Sequence, residues 1–403
     1  MKGEFVKLGL IGISLYLIST GLSFAFFSVF AQSQPPQLPK EAASSPSPKQ
    51  KHFGVDPSIP RTEPCPLNGM LYTKQEKDIW SKRRPLAVTI ENHEESRPQS
   101  GLYRADIVYE AVAEGGITRF LGIFYCGAAA ENLILSPVRS ARIYYLPWVL
   151  EYDALYNHVG GAGKCDDPTV DDRAKALCSI DKWKIKDMDQ FGLPYKQQDT
   201  DGSKYSVCYR NTERLGRPVA WEHTMVCETE GLWKFAKQKR GWTNVDENNV
   251  AWDKNFSPWK FKDDAKETER GLDQTISYSA WDSMAAKYGV RWEYDRTINS
   301  YRRFTGGVAH KDLEIDEQLS PKVVILQFAK YTPSVDEHAH VLYENIGSGE
   351  AIIFQDGKAM KGKWSKPNRN ARTTFTDERG KEIEFNKGQI WIDMLPNGTK
   401  VAY

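Results

Sequence analysis

Between Arg84 and Gly160, apolar runs of strand length alternate with polar turns: PLAVTIEN, ADIVYEAVA, ITRFLGIFY and DALYNHVGG. All four carry the β-branched and aromatic residues that pack well on a pleated surface, which predicts core strands. Only Glu114-Gly115-Gly116 separates the second run from the third, and so short a connection predicts a hairpin. Ser136-Pro137 sets a capping side chain before a proline, which predicts a helix from there to about Glu151. Residues 161–250 are acidic and Lys-rich, with a helix predicted from about Glu228 to Lys239, and read as a long excursion from the first domain. The polar stretch 251–270 marks a domain junction. From Gln274 onward the pattern becomes hairpin-like, with Asp356-Gly357, Arg379-Gly380 and Asn397-Gly398 as turns. The expected fold class is α+β: a mixed sheet and helices in a layered sandwich, with an N-terminal domain over 62–250 and a β-rich C-terminal domain over 251–403.

The first 61 residues follow other rules. Leu8 to Ala31 holds no charge over 24 residues, enough for a helix to cross a hydrocarbon core roughly 30 Å thick. Lys2 and Lys7 precede it and no charge follows until Lys40, so the positive-inside rule expects a cytoplasmic N-terminus, a single-pass cell-membrane anchor and everything after Ala31 outside. Val29-Phe30-Ala31 also suits a signal-peptidase site, so a cleaved signal segment is the alternative. No cysteine lies in or just after the segment, and a lipid anchor is therefore not expected. Residues 32–61 are the linker, rich in Pro and Ser in their first part, which cannot bury enough apolar surface to order itself.

Charged residues at 27% and hydrophobic residues at 40% are ordinary globular usage, which argues against wholesale disorder and against a polytopic membrane protein. The 54 Lys and Arg against 53 Asp and Glu give a net charge of +1, without the basic footprint of a nucleic-acid binder. Cys65, Cys126, Cys165, Cys178, Cys208 and Cys227 form an even set in a chain expected outside the cytoplasm, where disulfides persist. Their connectivity stays open, with Cys165–Cys178 and Cys208–Cys227 as local possibilities.

Three stretches are recognisable: CPLNGMLY at 65–72, ENHEESRPQSGLYRADIVYEAVAEGGITRFLGIF at 91–124 and SPVRSARIYYLPWVLEYDALYNHVGG at 136–161. They closely resemble the YerB-like lipoprotein family, and GSGEAIIFQDGKAMKGKW with GKEIEFNKGQIWIDMLP resembles its second domain. The resemblance covers most of 62–403 and implies a bacterial cell-surface protein with a layered fold of mixed α and β structure, in a family without an assigned function. Two departures stand out. Family members usually carry a lipobox cysteine, and the stretch from about Lys164 to Cys227 is longer here than is usual.

The strongest candidate chemistry is Arg139 with Arg142. Three residues apart on the helix expected from Ser136, they would share a face, and near a helix start two guanidiniums would grip a phosphate or carboxylate. The alternative is that they pair with Glu110, Glu114 or Glu151 and fix strand against helix. Glu110, Glu114 and Arg119 flank the Gly115-Gly116 turn, while Glu91, Asn92, His93 and Arg97 follow the preceding strand. Carboxylates there would serve as acid and base at a suitable separation, or else are solvated turn residues. His158 runs into Gly160-Gly161-Ala162-Gly163, which adds to the Arg139 site or is a plain turn. His338 and His340 lack a third metal ligand in view. No cofactor and no metal are expected, and hydrolase signatures such as GxSxG, SxxK and HExxH are absent.

The leading expectation is a membrane-anchored extracytoplasmic protein that binds an anionic envelope component or an envelope-assembly partner through Arg139 and Arg142, with Arg119, Glu110, Glu114 and His158 around them. The alternatives are an enzyme acting on envelope glycans or lipid-linked phosphates through Glu or Asp, and a protein interaction scaffold.

Overall fold

In a computed structural model, residues 55–56, 58–272 and 274–403 are described. Ten strands form the central sheet: β1 (Leu86–Glu91), β2 (Ile107–Val112), β3 (Thr118–Phe124), β4 (Leu155–His158), β5 (Lys186–Asp189), β6 (Val323–Ala329), β7 (Gly347–Gln355), β8 (Lys358–Lys366), β9 (Thr374–Asp377) and β10 (Ile390–Pro396). Their order is β9-β8-β7-β6-β10-β2-β3-β1-β4-β5. The β2–β3 hairpin is antiparallel, as its short connection predicts. Strand β10 from the C-terminal part lies parallel to β2 from the N-terminal part, so one sheet runs through both.

Both faces of this sheet are covered, which is why β1, β2 and β3 are buried at every position and read as near-continuous apolar runs rather than alternating ones. One face packs Ala87, Tyr109 and Leu121 against Tyr144, Tyr145 and Trp148. The other packs Val88, Val108 and Phe120 against Leu232 and Trp233 and against Ile276, Trp292 and Tyr301. Leu232 and Trp233 belong to the helix Thr229–Arg240, within a residue or so of its predicted bounds. Ile276, Trp292 and Tyr301 come from a second sheet of five strands. The architecture is thus layered α+β, and its C-terminal part is dominated by strands.

Two expectations are corrected. The helix expected from Ser136 is absent: Ser136, Val138 and Ala141 make extended bridges to Ser100, Ile90 and Gly161, so tertiary pairing overrides the local capping signal. Helical turns begin only at Ile143, and Pro147 lies in the first turn of the helix Leu146–Glu151. The single-pass anchor is corrected too. Among the described residues no helix is long and apolar enough to cross a membrane; Thr229–Arg240 has 12 residues, about 18 Å of rise, and carries three lysines and an arginine. Leu8 to Ala31, the linker to Gly54 and the alternative cleavage site lie outside the described residues.

All six cysteines are paired, as Cys65–Cys126, Cys165–Cys178 and Cys208–Cys227. Cys208 and Cys227 oppose each other on an antiparallel strand pair.

Candidate functional site

Strands β1, β2, β4, β5, β6 and β10 point the same way, and in such sheets ligands bind beyond the carboxyl ends of the strands. That edge is where most of the predicted residues fall. Glu91 ends β1, Glu114 follows β2, Arg119 stands near the start of the antiparallel β3, and His158 ends β4. The extended segment 136–141 crosses the same edge: Glu91 N–H donates to Pro137 O, Arg139 N–H to Thr89 O, and Val159 N–H to Arg139 O.

Arg139 and Arg142 therefore share no helical face, but they meet Arg119 at this edge. Arg142 grips Glu114 through both oxygens, Nε to Oε1 at 2.5 Å and Nη2 to Oε2 at 2.7 Å, and its Nη1 donates to Ala141 O at 2.8 Å. Burial alone would raise the Glu114 carboxyl, yet the Arg142 guanidinium outweighs it and pulls the group down to about 2. Arg119 reaches the same carboxylate through Nη2 at 3.2 Å. Its Nε and Nη1 are buried and have no hydrogen-bond partner, and burial together with the positive charges of Arg142 and Arg139 pushes its pKa down. Arg139 Nε lies 2.9 Å from Glu91 Oε1. Side-chain exposure is 24% for Arg139, 11% for Arg142 and 9% for Arg119, so Arg139 is the solvent-facing member. Three guanidiniums share two carboxylates.

The other candidates go elsewhere. Both ring nitrogens of His158 are engaged, Nε2 with Asp187 and Nδ1 with Gly160 O, each at 2.8 Å. Glu151 holds Lys366 at 2.8 Å and Arg372 at 2.8 Å, and pairs with neither predicted arginine. His340 is held by Asp336. Glu110 is buried: Thr118 Oγ1 and Arg303 Nη2 each donate to it at 2.7 Å, and Trp391 Nε1 at 3.1 Å. Asp393 stands in register with it on β10 and accepts a hydrogen bond from the Tyr278 hydroxyl. Burial, then the negative charge of Glu110, pushes Asp393 well above the usual carboxylate range, while the Arg303 charge offsets burial and holds Glu110 below it. The cavity beside this pair, lined also by Gly116, Trp281 and Met284, has a volume of about 20 Å³, room for roughly one water. A wider cleft of about 1020 Å³, bordered by Phe328, Lys361, Lys363 and Tyr403, touches none of the six candidate residues.

Asp393 and Arg303 were not among the candidates. A lone acid inside the apolar run IWIDMLP is a signal that was there to find, since buried charges are rare unless paired. Arg303, in a strand of mixed polarity, carries no such mark.

Residues 68–241 match the family described as Protein of unknown function (DUF3048) N-terminal domain, and residues 280–392 match its C-terminal domain. The chain belongs to the DUF3048 family. A relative from Bacillus subtilis (strain 168), named "Putative lipoprotein YerB", is 28% identical over 338 residues, which span 83% of this chain and 86% of that protein. The crystal structure of YerB protein from Bacillus subtilis superposes with a TM-score of 0.63 over 84% of this chain and 99% of that one, at 23% identity. That likeness concerns the fold: the layered sandwich is the DUF3048 architecture.

Proposed function

We propose that this DUF3048 protein is an extracytoplasmic anion-recognition module of the cell envelope. Its site is the arginine cluster beyond the carboxyl ends of β1 and β2, with Arg119 and Arg139 as the ligand contacts. Arg142, closed on Glu114 and Ala141 O, positions the cluster. The observation that carries this is Arg119, buried with two of its donors unpaired. A buried unpaired donor costs about 1–3 kcal/mol, more when charged, and a phosphate or carboxylate oxygen would satisfy it. The three disulfides fit an oxidising compartment, and the relative's name, a lipoprotein, fits the membrane surface. The acid–base alternative draws less support, because the cavity beside Glu110 and Asp393 has room for about one water rather than a sugar.

Thermal unfolding of the full chain against polyprenyl phosphates, muropeptides and anionic glycopolymers tests this. A ligand at one hundred times its Kd stabilises by about 2.7 kcal/mol, and Arg139→Ala with Arg119→Lys should abolish that gain. Equal stabilisation of the double variant would move the binding surface elsewhere and leave an interaction scaffold as the better account of the cluster.

A further inference from the structure

The turn that follows β1 carries His93 and Glu95 in a short 3-10 helix and its cap, and a second 3-10 turn, Trp221–Thr224, brings His223 against it. One ligand atom from each of these three residues lies within 4.8 Å of the others. The two imidazoles stack with centroids 4.8 Å apart and planes 16° from parallel. The orientation of His223 is fixed by Glu91: its Nδ1 lies 2.6 Å from Glu91 Oε2. With Nδ1 turned to that carboxylate, Nε2 is the ring nitrogen presented to the neighbouring side chains. Nε2 lies 3.7 Å from Glu95 Oε2. A cation placed between this nitrogen and this carboxylate oxygen would be within reach of both.

We infer that His93, Glu95 and His223 form a site for a divalent transition metal of zinc-like chemistry. Two imidazoles and one carboxylate are a donor set that zinc accepts, with a fourth position left for water or substrate. Metal bonds of about 2.0–2.2 Å at tetrahedral angles separate ligand atoms by roughly 3.4 Å, close to the 3.7 Å already present between His223 and Glu95. His93 completes the set when its ring turns out of the stack with His223. Its ring is held by the stack on His223 and by a 3.3 Å contact from the Glu95 amide to its Nδ1. Glu91 is the outer carboxylate that orients His223. The inference stands apart from the anion reading, although Glu91 also touches Arg139 and so joins the two sites.

The test is titration of the chelator-treated full chain with cobalt(II), read by its visible d–d absorption, and with zinc by calorimetry. The wild type should take up one equivalent with the absorption of a four-coordinate ion. His93→Gln with Glu95→Gln alters the two more exposed ligands and spares the buried His223, so the fold should stay intact; this variant should lose the cobalt spectrum. Glu91→Gln should weaken zinc by about 10–100-fold. Two outcomes overturn the site: no saturable cobalt uptake by the wild type, which leaves the cluster a packing and hydrogen-bonding contact between the two 3-10 turns, or uptake that the double variant retains, which places an adventitious ion elsewhere.

Discussion

Glu110 on β2 and Asp393 on β10 stand in register across a parallel strand pair, 283 residues apart in sequence, and form a buried pair in which burial and the charge of Glu110 push the Asp393 carboxyl up while the charge of Arg303 holds Glu110 down. Arg303 is the counter-ion. The pair joins the N- and C-terminal parts of one sheet.

The asymmetry of that pair predicts an asymmetric response to mutation. Asp393→Asn keeps a donor for Glu110 and an acceptor for the Tyr278 hydroxyl, and should cost less than about 1 kcal/mol. Glu110→Gln leaves Arg303 buried without its partner and should cost about 3–5 kcal/mol. Urea unfolding of the two variants separates these values; equal losses would mean that the proton is not on Asp393.

Acid should weaken the protein through Glu114. Its folded pKa is depressed to about 2 from 4.5, so its contribution is fully present above about pH 4.5 and is lost as pH falls toward 2. At 1.36 kcal/mol per unit this amounts to at most about 3 kcal/mol. Chemical denaturation between pH 6 and 2.5 should show a shallower acid loss in Glu114→Gln than in the wild type, and identical slopes would remove the ion pair with Arg142 from the account.

Among the disulfides, loop length sets the expected order. Cys65–Cys126 closes 61 residues and Cys165–Cys178 closes 13, so the chain-entropy relation gives about 4 kcal/mol for the first and about 3 kcal/mol for the second. Double Cys→Ala variants compared by urea unfolding should follow that order. A larger loss for the short loop would point to native-state packing around Cys178 instead.

Local patterns made part of this structure legible. The β2–β3 hairpin follows from two apolar runs around a Glu-Gly-Gly connection, and Asp356-Gly357 turns β7 into β8 with both residues at positive φ, where glycine is free of the Cβ penalty. The helix Thr229–Arg240 ends at Gly241 in the left-handed region, a stop signal visible in the sequence. Ser136-Pro137 misled because its capping signal is local, whereas the bridges from 136–141 to β1 and Gly161 are not. Arg119, Arg139 and Arg142 meet at the sheet edge rather than on a helix face, and Glu110 and His158, expected around them, are engaged elsewhere. The pairings Glu110–Arg303, Glu151–Lys366 and Glu91–His223 span 193, 215 and 132 residues, and no periodicity reports on contacts of that range.

The most direct measurement is a crystal structure of the protein soaked with inorganic pyrophosphate. The account predicts an anion oxygen within about 3 Å of Arg119 Nε or Nη1, with Arg139 turned from Glu91 toward the same anion and Arg142 still closed on Glu114. Arg119 donors satisfied by ordered water in every soaked crystal, with no anion at the cluster, would contradict it.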